Sequence, residues 1–390
     1  MKRILSFASL LAAAVMLISC SGNNGEEGGF VSNKTLKLVS DKNLIQTFGG
    51  DYATLTLTLD GQPVTEDVTF FDGKNNIIEI PDFKFSTDKA GEYEIWANYG
   101  TYNSEKILIR AISVDIPPTP TDPKPESTAF KVRTLVSEFT TLGCSYCPNM
   151  KLMLHKAFED EAFADKLVVT ECHTGLVNSV ADPCYIDTGF DESLGVGNFP
   201  NLNLDMFLNF NNYNDREGFL SAVNDLIAAK EEVAAGISVT SVYTDGQIVI
   251  KATVKAAEDG AYRLGAMLLE DGVYGKQTGG SAQSWMDNHD GVVRHIDSKV
   301  YIAGKEMYLG FPVGSLKKGE TGEYLFVWSL DEIWSSKAAQ GIGGGVAWAD
   351  YVLENLHVAV FATSQDQNGD YFVNNVIDCP INGVTPFEYK

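Results

Sequence analysis

The sequence predicts a multidomain α+β protein in which two all-β domains flank an α/β domain. Short strands of alternating pattern precede residue 117, strands alternate with helices from about 130 to 235, and strands return after residue 236. At 390 residues with 44% hydrophobic composition, the chain can build two or three cores. The expected segments are a signal peptide (1–19), a flexible tether (20–35), a β domain (36–116), a linker (117–128), an α/β domain (129–235) and a C-terminal β-sandwich domain (236–390).

The first twenty residues are typical of an exported lipoprotein. Lys2 and Arg3 precede an apolar run at 4–18, and residues 17–20 resemble a bacterial lipobox that ends at Cys20. An ordinary secreted protein with an incidental cysteine is the alternative. We predict that Cys20 carries the acyl chains, palmitate among them, and anchors the protein in the outer membrane. The polar, glycine-rich residues that follow would form the tether.

The net charge of -23 argues against nucleic acid as a partner, because no basic surface is available to neutralise phosphates. Five cysteines follow Cys20, and export places them where disulfides persist.

Residues 36–116 predict an all-β domain. Apolar residues alternate with threonine at 54–59, and turn signals follow at Asp60 and Gly61. Residues 88–97 resemble the end of an immunoglobulin-like sandwich, with Tyr93 at the tyrosine-corner position and Ile95 where antibody domains carry a cysteine. Such a domain is expected to be a spacer or an adhesive module.

A proline-rich run separates this region from the next. Five prolines fall within residues 117–125, and proline both removes backbone donors and fixes φ. The run therefore predicts a semi-rigid linker.

Residues 129–235 predict a sheet covered by helices. Strands are expected at 132–139, 167–172 and 201–207, and helices at 148–163 and 216–232. After residue 236 the strands resume, interrupted by an irregular excursion at 272–299. Its residues His289, Arg294 and His295 are expected to be solvated.

Chemistry is predicted at Cys144 and Cys147. A Cys-x-x-Cys between a strand and a helix places the first thiol at a helix N-terminus, where free amides favour a thiolate. That arrangement suits thiol-disulfide exchange. A stable disulfide and a zinc half-site are the alternatives, and because no second Cys-x-x-Cys supplies further ligands, no metal and no cofactor are predicted.

The same segment resembles thioredoxins and protein disulfide isomerases. Glu138 lies six residues before Cys144, where those proteins carry a buried acid, and residues 197–204 resemble the strand that carries their cis-proline, here Pro200. The resemblance implies that Glu138 relays the proton of Cys147 and that Pro200 is cis beside the disulfide. Gly143 departs from the pattern, since a bulky residue is usual before the first cysteine.

A second disulfide is expected between Cys172 and Cys184. Both lie in the predicted α/β domain, twelve positions apart, whereas Cys379 lies in another domain.

Residues 130–380 as a whole resemble the Omp-twenty-eight-like outer-membrane protein family of Gram-negative anaerobes. Within this range the likeness rests on the Cys-x-x-Cys segment and on a C-terminal stretch with Gln277, His289 and Arg294, and the lipobox at residues 17–20 is a third shared feature. That family comprises outer-membrane or surface lipoproteins without an assigned reaction.

Two functions stay open on sequence grounds. The chain could catalyse thiol-disulfide exchange on exported cysteine-containing proteins, with Cys144 attacking and Cys147 resolving. Alternatively, it could bind a surface ligand through a redox-inert scaffold. An accessible Cys144 favours the first, and a buried pair favours the second.

Overall fold

The computed structural model describes residues 34–302, 304–366 and 368–390. The predicted signal peptide, the lipidated Cys20 and most of the tether lie outside the described residues. The chain divides into two compact units, of which the first ends at Ala111 and the second begins at Ile112. None of the helices in the described part of the chain has the length and apolar character needed to cross a bilayer.

The first unit contains two antiparallel sheets around one core. One sheet has the order β1-β3-β4 with β7 beside β3, and the other has the order β2-β10-β8-β5-β6 with β9 beside β8. Its strands are β1 (Leu36–Ser40), β2 (Leu44–Gln46), β3 (Ala53–Leu59), β4 (Gln62–Pro63), β5 (Val68–Asp72), β6 (Ile77–Ile78), β7 (Lys84–Phe85), β8 (Gly91–Tyr99), β9 (Tyr102–Asn103) and β10 (Ile107–Ile112).

Alternation along β3 explains this unit's core. Leu55 and Leu57 are buried while Thr56 between them is exposed, so one face of the strand packs inward. Tyr93 donates a hydrogen bond to the carbonyl of Lys89 at 2.9 Å, as its tyrosine-corner position predicted. Ile95 is fully buried in the core.

The second unit is built on two larger sheets. A nine-stranded sheet has the order β14-β13-β11-β12-β20-β17-β25-β26 with β23 beside β17, and a four-stranded sheet has the order β24-β16-β15-β27. The strands are β11 (Thr134–Thr140), β12 (Leu167–His173), β13 (Asn201–Leu204), β14 (Leu208–Phe210), β15 (Gly236–Thr244), β16 (Gln247–Lys255), β17 (Gly260–Glu270), β18 (Val273–Tyr274), β19 (Asn288–His289), β20 (Val292–Asp297), β21 (Val300–Ile302), β22 (Lys305–Met307), β23 (Phe311–Leu316), β24 (Thr321–Ser329), β25 (Leu356–Gln365), β26 (Tyr371–Pro380) and β27 (Val384–Thr385).

Helices cover one end of the nine-stranded sheet. Val136 and Leu202 of the sheet share a core with Met150 and Phe219, which lie on the two longest helices. The helices are α1 (Cys147–Phe158), α2 (Glu161–Ala164), α3 (Phe190–Ser193), α4 (Arg216–Lys230) and α5 (Leu330–Trp334), with 3-10 turns at Pro81–Phe83, Ser284–Asp287 and Leu353–Asn355.

The predicted fold class is wrong in its α/β component. Strands make up 42% of the structure and helices 14%, and no thioredoxin-like α/β domain stands apart in the described residues. The edge of β12 pairs with β20 through Glu171 and Val292, so strands from residues 129–235 continue into a sheet completed by strands from after residue 236. The two facing sheets of the second unit then enclose a common core, as in a β-sandwich.

Candidate functional site

Cys144 and Cys147 form a disulfide at the start of α1. The amide of Cys147 donates to the Sγ of Cys144 at 3.1 Å. Both cysteines are buried, with 4% and 1% of their surface exposed, although Ser145 and Tyr146 between them are exposed. The predicted position at a helix N-terminus is present, but the sulfur pair lies beneath the surface.

A loop at residues 277–279, far along the chain from the cysteines, packs against the motif on one side. The amide of Thr278 donates to the carbonyl of Leu142 at 3.0 Å. The side-chain amide of Gln277 lies 3.4 Å from the carbonyl of Cys144. Gly279 packs against Ser145 so closely that an added Cβ would lie 2.6 Å from its carbonyl oxygen. These contacts hold residues 277–279 against the cysteine motif.

The loop after β12 holds the motif from the other side. Asn178 donates to the carbonyl of Gly143 at 2.9 Å, and the Asp182 carboxylate accepts the amide of Leu142 at 3.0 Å. A Cβ on Gly143 would lie 1.9 Å from the carbonyl oxygen of Val177. Glycine therefore stands before the first cysteine because the neighbouring backbone leaves no room for a side chain.

Glu138 is a buried carboxyl group on the strand that leads into the motif. It shares a face of β11 with Val136, which packs against α1. Its Oε1 has no hydrogen-bond partner among the described residues. Burial, followed by repulsion from Glu171, raises the pKa of Glu138 to about 8.

Three more buried ionisable groups form a chain of hydrogen bonds. His173 donates from Nδ1 to Asp182 at 2.8 Å and from Nε2 to Glu171 at 3.0 Å. Burial alone would lower the pKa of His173, but the two carboxylates outweigh it and raise that pKa to about 9. Burial likewise opposes ionisation of Asp182, yet His173 and two backbone amides lower the pKa of Asp182 to about 2.

Lys151 and His289 complete this group around Glu171. Nδ1 of His289 lies 2.5 Å from Oε1 of Glu171, and Nζ of Lys151 lies 3.3 Å from both oxygens of that carboxylate. Burial would raise the pKa of Glu171, but the positive charges of His289 and Lys151 hold it well below its ordinary value. His289 and Arg294 are buried, so the prediction that they are solvated is wrong.

The Phe199–Pro200 peptide bond is cis, as predicted. Asn201 pairs with Phe139 in the sheet, which places Pro200 at the end of β11 from which the chain continues to Cys144. Glu138, Pro200 and the cysteine pair are therefore gathered at one end of β11.

The predicted Cys172–Cys184 disulfide is wrong, because both cysteines are free and buried. Cys172 packs in an apolar core with Leu135 and Phe139. Cys184 instead lies near the side chain of His173, which points to the opposite face of β12 from its neighbour Cys172. The two thiols therefore lie on different sides of the sheet. Cys379 is also a free buried thiol.

Four residues of this group, Lys151, Glu171, His173 and Asp182, were not predicted from the sequence. One signal for them was present: Glu171 and His173 are polar residues two positions apart in a strand that is otherwise largely apolar, so both point to the same face.

A cavity of about 540 Å³ opens beside this group. It has an apolar wall that includes Leu154 and Phe158. Its other lining residues include five acidic side chains (Glu138, Glu171, Asp271, Asp290 and Asp378) and three basic ones (Lys151, His155 and His357). The unpaired Glu138 and the charged group around Glu171 therefore border a space large enough for a small ligand.

Comparisons with known proteins give no family. No family model matches the chain, and none of the curated proteins matches it significantly. Among solved structures, HBP35 of Porphyromonas gingivalis is 15% identical over 67% of this chain and 78% of that chain, with a TM-score of 0.46. The sporulation control protein Spo0M from Bacillus subtilis is 13% identical over 38% of this chain and 48% of that chain, with a TM-score of 0.18. TM-scores below 0.5 identify neither a fold nor a function.

Proposed function

We propose that this chain is an outer-membrane-anchored binding protein in which the Cys144–Cys147 disulfide is structural. The burial of both cysteines under two hydrogen-bonded loops carries the proposal. Thiol-disulfide exchange requires a thiolate to reach one of the two sulfur atoms in line, and the covering loops prevent that approach.

The proposal that the disulfide is structural is tested on the folded full chain. Dithiothreitol should leave the disulfide intact in native buffer and reduce it once urea unfolds the protein, and the chain should not accelerate the reduction of insulin. Rapid reduction in native buffer together with insulin turnover would contradict a structural role.

One observation favours thiol-disulfide exchange as a second candidate function. The pKa of Glu138 is about 8, which suits a group that accepts and returns a proton near neutral pH. If the protein acts on exported cysteine-containing proteins, Cys147→Ala should trap them as mixed disulfides through Cys144. The cysteine-free variant Cys144→Ala/Cys147→Ala is the matched control.

The cavity is the proposed binding site. Its acidic side chains outnumber its basic ones, and its lining also includes the apolar side chains of Leu154 and Phe158. This favours a small organic cation with a short apolar portion. We expect n-hexylamine to raise the melting temperature and hexanoate to leave it unchanged. Leu154→Trp, which fills the cavity, should abolish the effect, and equal responses to both compounds would argue against this site.

Anchoring is proposed from the lipobox at residues 17–20. Cells grown with labelled palmitate should incorporate label into the wild-type chain but not into Cys20→Ala, which should also leave the outer-membrane fraction. Label retained by that variant would rule out Cys20 as the acylated residue.

A further inference from the structure

Three buried side chains with metal-binding atoms meet beside the cysteine motif. One nitrogen of His173, one nitrogen of His289 and the Sγ of Cys184 all lie within 4.8 Å of one another. They come from β12, from the loop after it and from β19, and all three residues have 0% of their surface exposed. No spacing pattern in the sequence marks such a group, because His289 lies more than a hundred residues further along the chain.

One ring nitrogen of each histidine, the one that points away from Glu171, already makes a hydrogen bond. Nδ1 of His173 donates to the Asp182 carboxylate at 2.8 Å, and Nε2 of His289 donates to the carbonyl of Gly275 at 3.0 Å. Metal-bound histidines commonly donate their second N–H to a carboxylate or a backbone carbonyl, which fixes the tautomer and the ring orientation. On each ring the nitrogen that faces Glu171 is therefore the one that can bind a metal after it loses its proton.

The second ring nitrogen of each histidine, here called the inner nitrogen, lies close to the same oxygen atom of Glu171. Nε2 of His173 and Nδ1 of His289 lie 3.0 and 2.5 Å from Oε1 of Glu171. Glu171 is itself buried, and its Oε1 provides a fourth ligand atom next to the two nitrogens.

No protonation state of His289 gives both of its neighbours, Glu171 and Lys151, a favourable contact. Nδ1 of His289 faces both the Glu171 carboxylate and the ammonium group of Lys151, which is 2.9 Å away. A proton on Nδ1 suits Glu171 but repels Lys151, whereas a lone pair suits Lys151 but repels Glu171. A cation bound between the inner nitrogens and Glu171 uses the lone pair and the carboxylate together, and Lys151 can remain paired with the second carboxylate oxygen.

We propose that His173, His289, Cys184 and Glu171 bind one Zn²⁺ ion. Two imidazole nitrogens, a thiolate and a carboxylate oxygen are ligands that zinc accepts in tetrahedral geometry. Zinc would hold neighbouring donors about 3.3 to 3.6 Å apart. Oε1 of Glu171 and Nδ1 of His289, now 2.5 Å apart, therefore need to separate, whereas donors that lie up to 4.8 Å apart need to move closer together. On binding, the Cys184 thiol and the ring nitrogens that face Glu171 release their protons to solvent as their bonds to zinc form. This proposal departs from the sequence-based expectation of no metal, and it does not involve the disulfide.

The test uses the full chain with its disulfide intact, first freed of metal with a chelator. Zinc analysis after dialysis against Zn²⁺ should give about one ion per chain. Co²⁺ should bind in its place and produce the near-ultraviolet sulfur-to-cobalt charge-transfer band of a thiolate ligand. No uptake of either ion, or Co²⁺ binding without this band, would overturn the proposal.

Two variants identify the ligands. Cys184→Ser should abolish the charge-transfer band, whereas Cys172→Ser, which changes a buried thiol on the other face of β12, should retain it. If Cys184→Ser does not fold, His289→Gln provides a second variant and should weaken Zn²⁺ binding by about tenfold or more. A band that survives Cys184→Ser would assign the metal to another thiol and refute the site. The insulin assay does not depend on this result, and the hexylamine test is made on the metal-free chain because Glu171 also lines the cavity.

Discussion

Buried charges in the second unit are paired with partners from distant parts of the chain. Nζ of Lys230, at the end of α4, lies 2.6 Å from Asp205 and 3.0 Å from the carbonyl of Arg133. The side chains of Lys230 and Asp205 are 4% and 1% exposed. This pair joins α4 to the strands beneath it.

Removing one member of the pair should therefore be costly. Lys230→Met leaves the Asp205 carboxylate buried without its cation, and we expect the free energy of unfolding to fall by about 3 to 5 kcal/mol. Urea unfolding followed by circular dichroism measures this. The double variant Lys230→Met/Asp205→Asn removes both charges and should recover part of the loss. A loss below about 1 kcal/mol in the single variant would show that the pair is not desolvated as described.

His357 gives the second unit a pH-dependent contribution to stability. Its Nε2 donates to Asp271 at 3.2 Å, and its Nδ1 donates to Asp378. Burial alone would lower the pKa of His357, but the two carboxylates raise it to about 10. Because the folded-state pKa lies above the unfolded value, the stabilisation is complete below pH 6.5 and disappears as the pH rises to about 10.

His357→Gln should thus destabilise the protein most at low pH within this window. We expect a loss of roughly 2 to 4 kcal/mol near pH 6, shrinking toward zero near pH 10. Chemical denaturation of both proteins at several pH values gives the difference. A difference that is constant across the range would mean that the effect comes from lost packing rather than from the charge.

Residues of the site differ in how far the sequence could predict them. Cys144, Cys147 and Glu138 lie within ten positions of one another, so a local pattern could identify them. His289 reaches Glu171 from 118 positions away, and the pairing of β12 with β20 helps to bring their segments together. A strand pattern shows which face a residue occupies but not which strand lies beside it.

At the scale of elements, the loops around the cysteine motif depend on glycines. Gly279 has a φ of +133°, and an added Cβ would lie 2.6 Å from the carbonyl oxygen of Ser145. A Cβ added to its neighbour Gly280 would meet no heavy atom within 4 Å. The two positions therefore allow a matched comparison within one loop.

Gly279→Ala should push the loop away from the motif and expose the disulfide. We expect a loss of about 1 to 3 kcal/mol in stability and faster reduction of Cys144–Cys147 by dithiothreitol, because the covering contacts are strained. Gly280→Ala should change neither quantity. Equal reduction rates in both variants would indicate that the loop does not control access to the disulfide.

Strands and helices were the elements that sequence patterns could predict best. The helix after Cys147 and the strand at 167–172 are present, because each has its own periodicity. The separation of an α/β domain from a C-terminal sandwich failed for a physical reason. One edge of β12 pairs with β11, and the other edge would expose unpaired backbone groups if the domain ended at residue 235. Strand β20, which lies beyond that boundary, pairs with this second edge.

At the scale of the whole molecule, the proline-rich run belongs with the second unit. The hydroxyl of Thr240 donates to the carbonyl of Pro118 at 2.8 Å. Asp122 accepts hydrogen bonds from Lys255 at 2.8 Å and from the hydroxyl of Tyr389 at 2.6 Å. These contacts tie the run both to β16 and to the C-terminus.

The ion pair between Lys255 and Asp122 is the contact through which the proline-rich run is expected to stabilise the second unit. Its side chain is only 4% exposed, and Asp122 is its ion-pair partner. The apolar core of the first unit lies wholly before Ile112, and those of the sandwich and the helices lie wholly after it. A fragment of residues 112–390 therefore retains its own cores as well as the partner of Lys255.

We expect the 112–390 fragment to fold alone and to unfold in a single cooperative transition. The 129–390 fragment lacks both Asp122 and the carbonyl of Pro125, which bind the ammonium group of Lys255, so its free energy of unfolding should be lower by about 1.5 to 3 kcal/mol. Urea denaturation of both fragments gives the comparison. Asp122→Asn in the longer fragment removes the charge but keeps the segment, so it distinguishes the effect of the ion pair from that of the deleted residues. If both fragments are equally stable, the run is a free linker after all, because neither its contacts nor its charge then stabilises the unit.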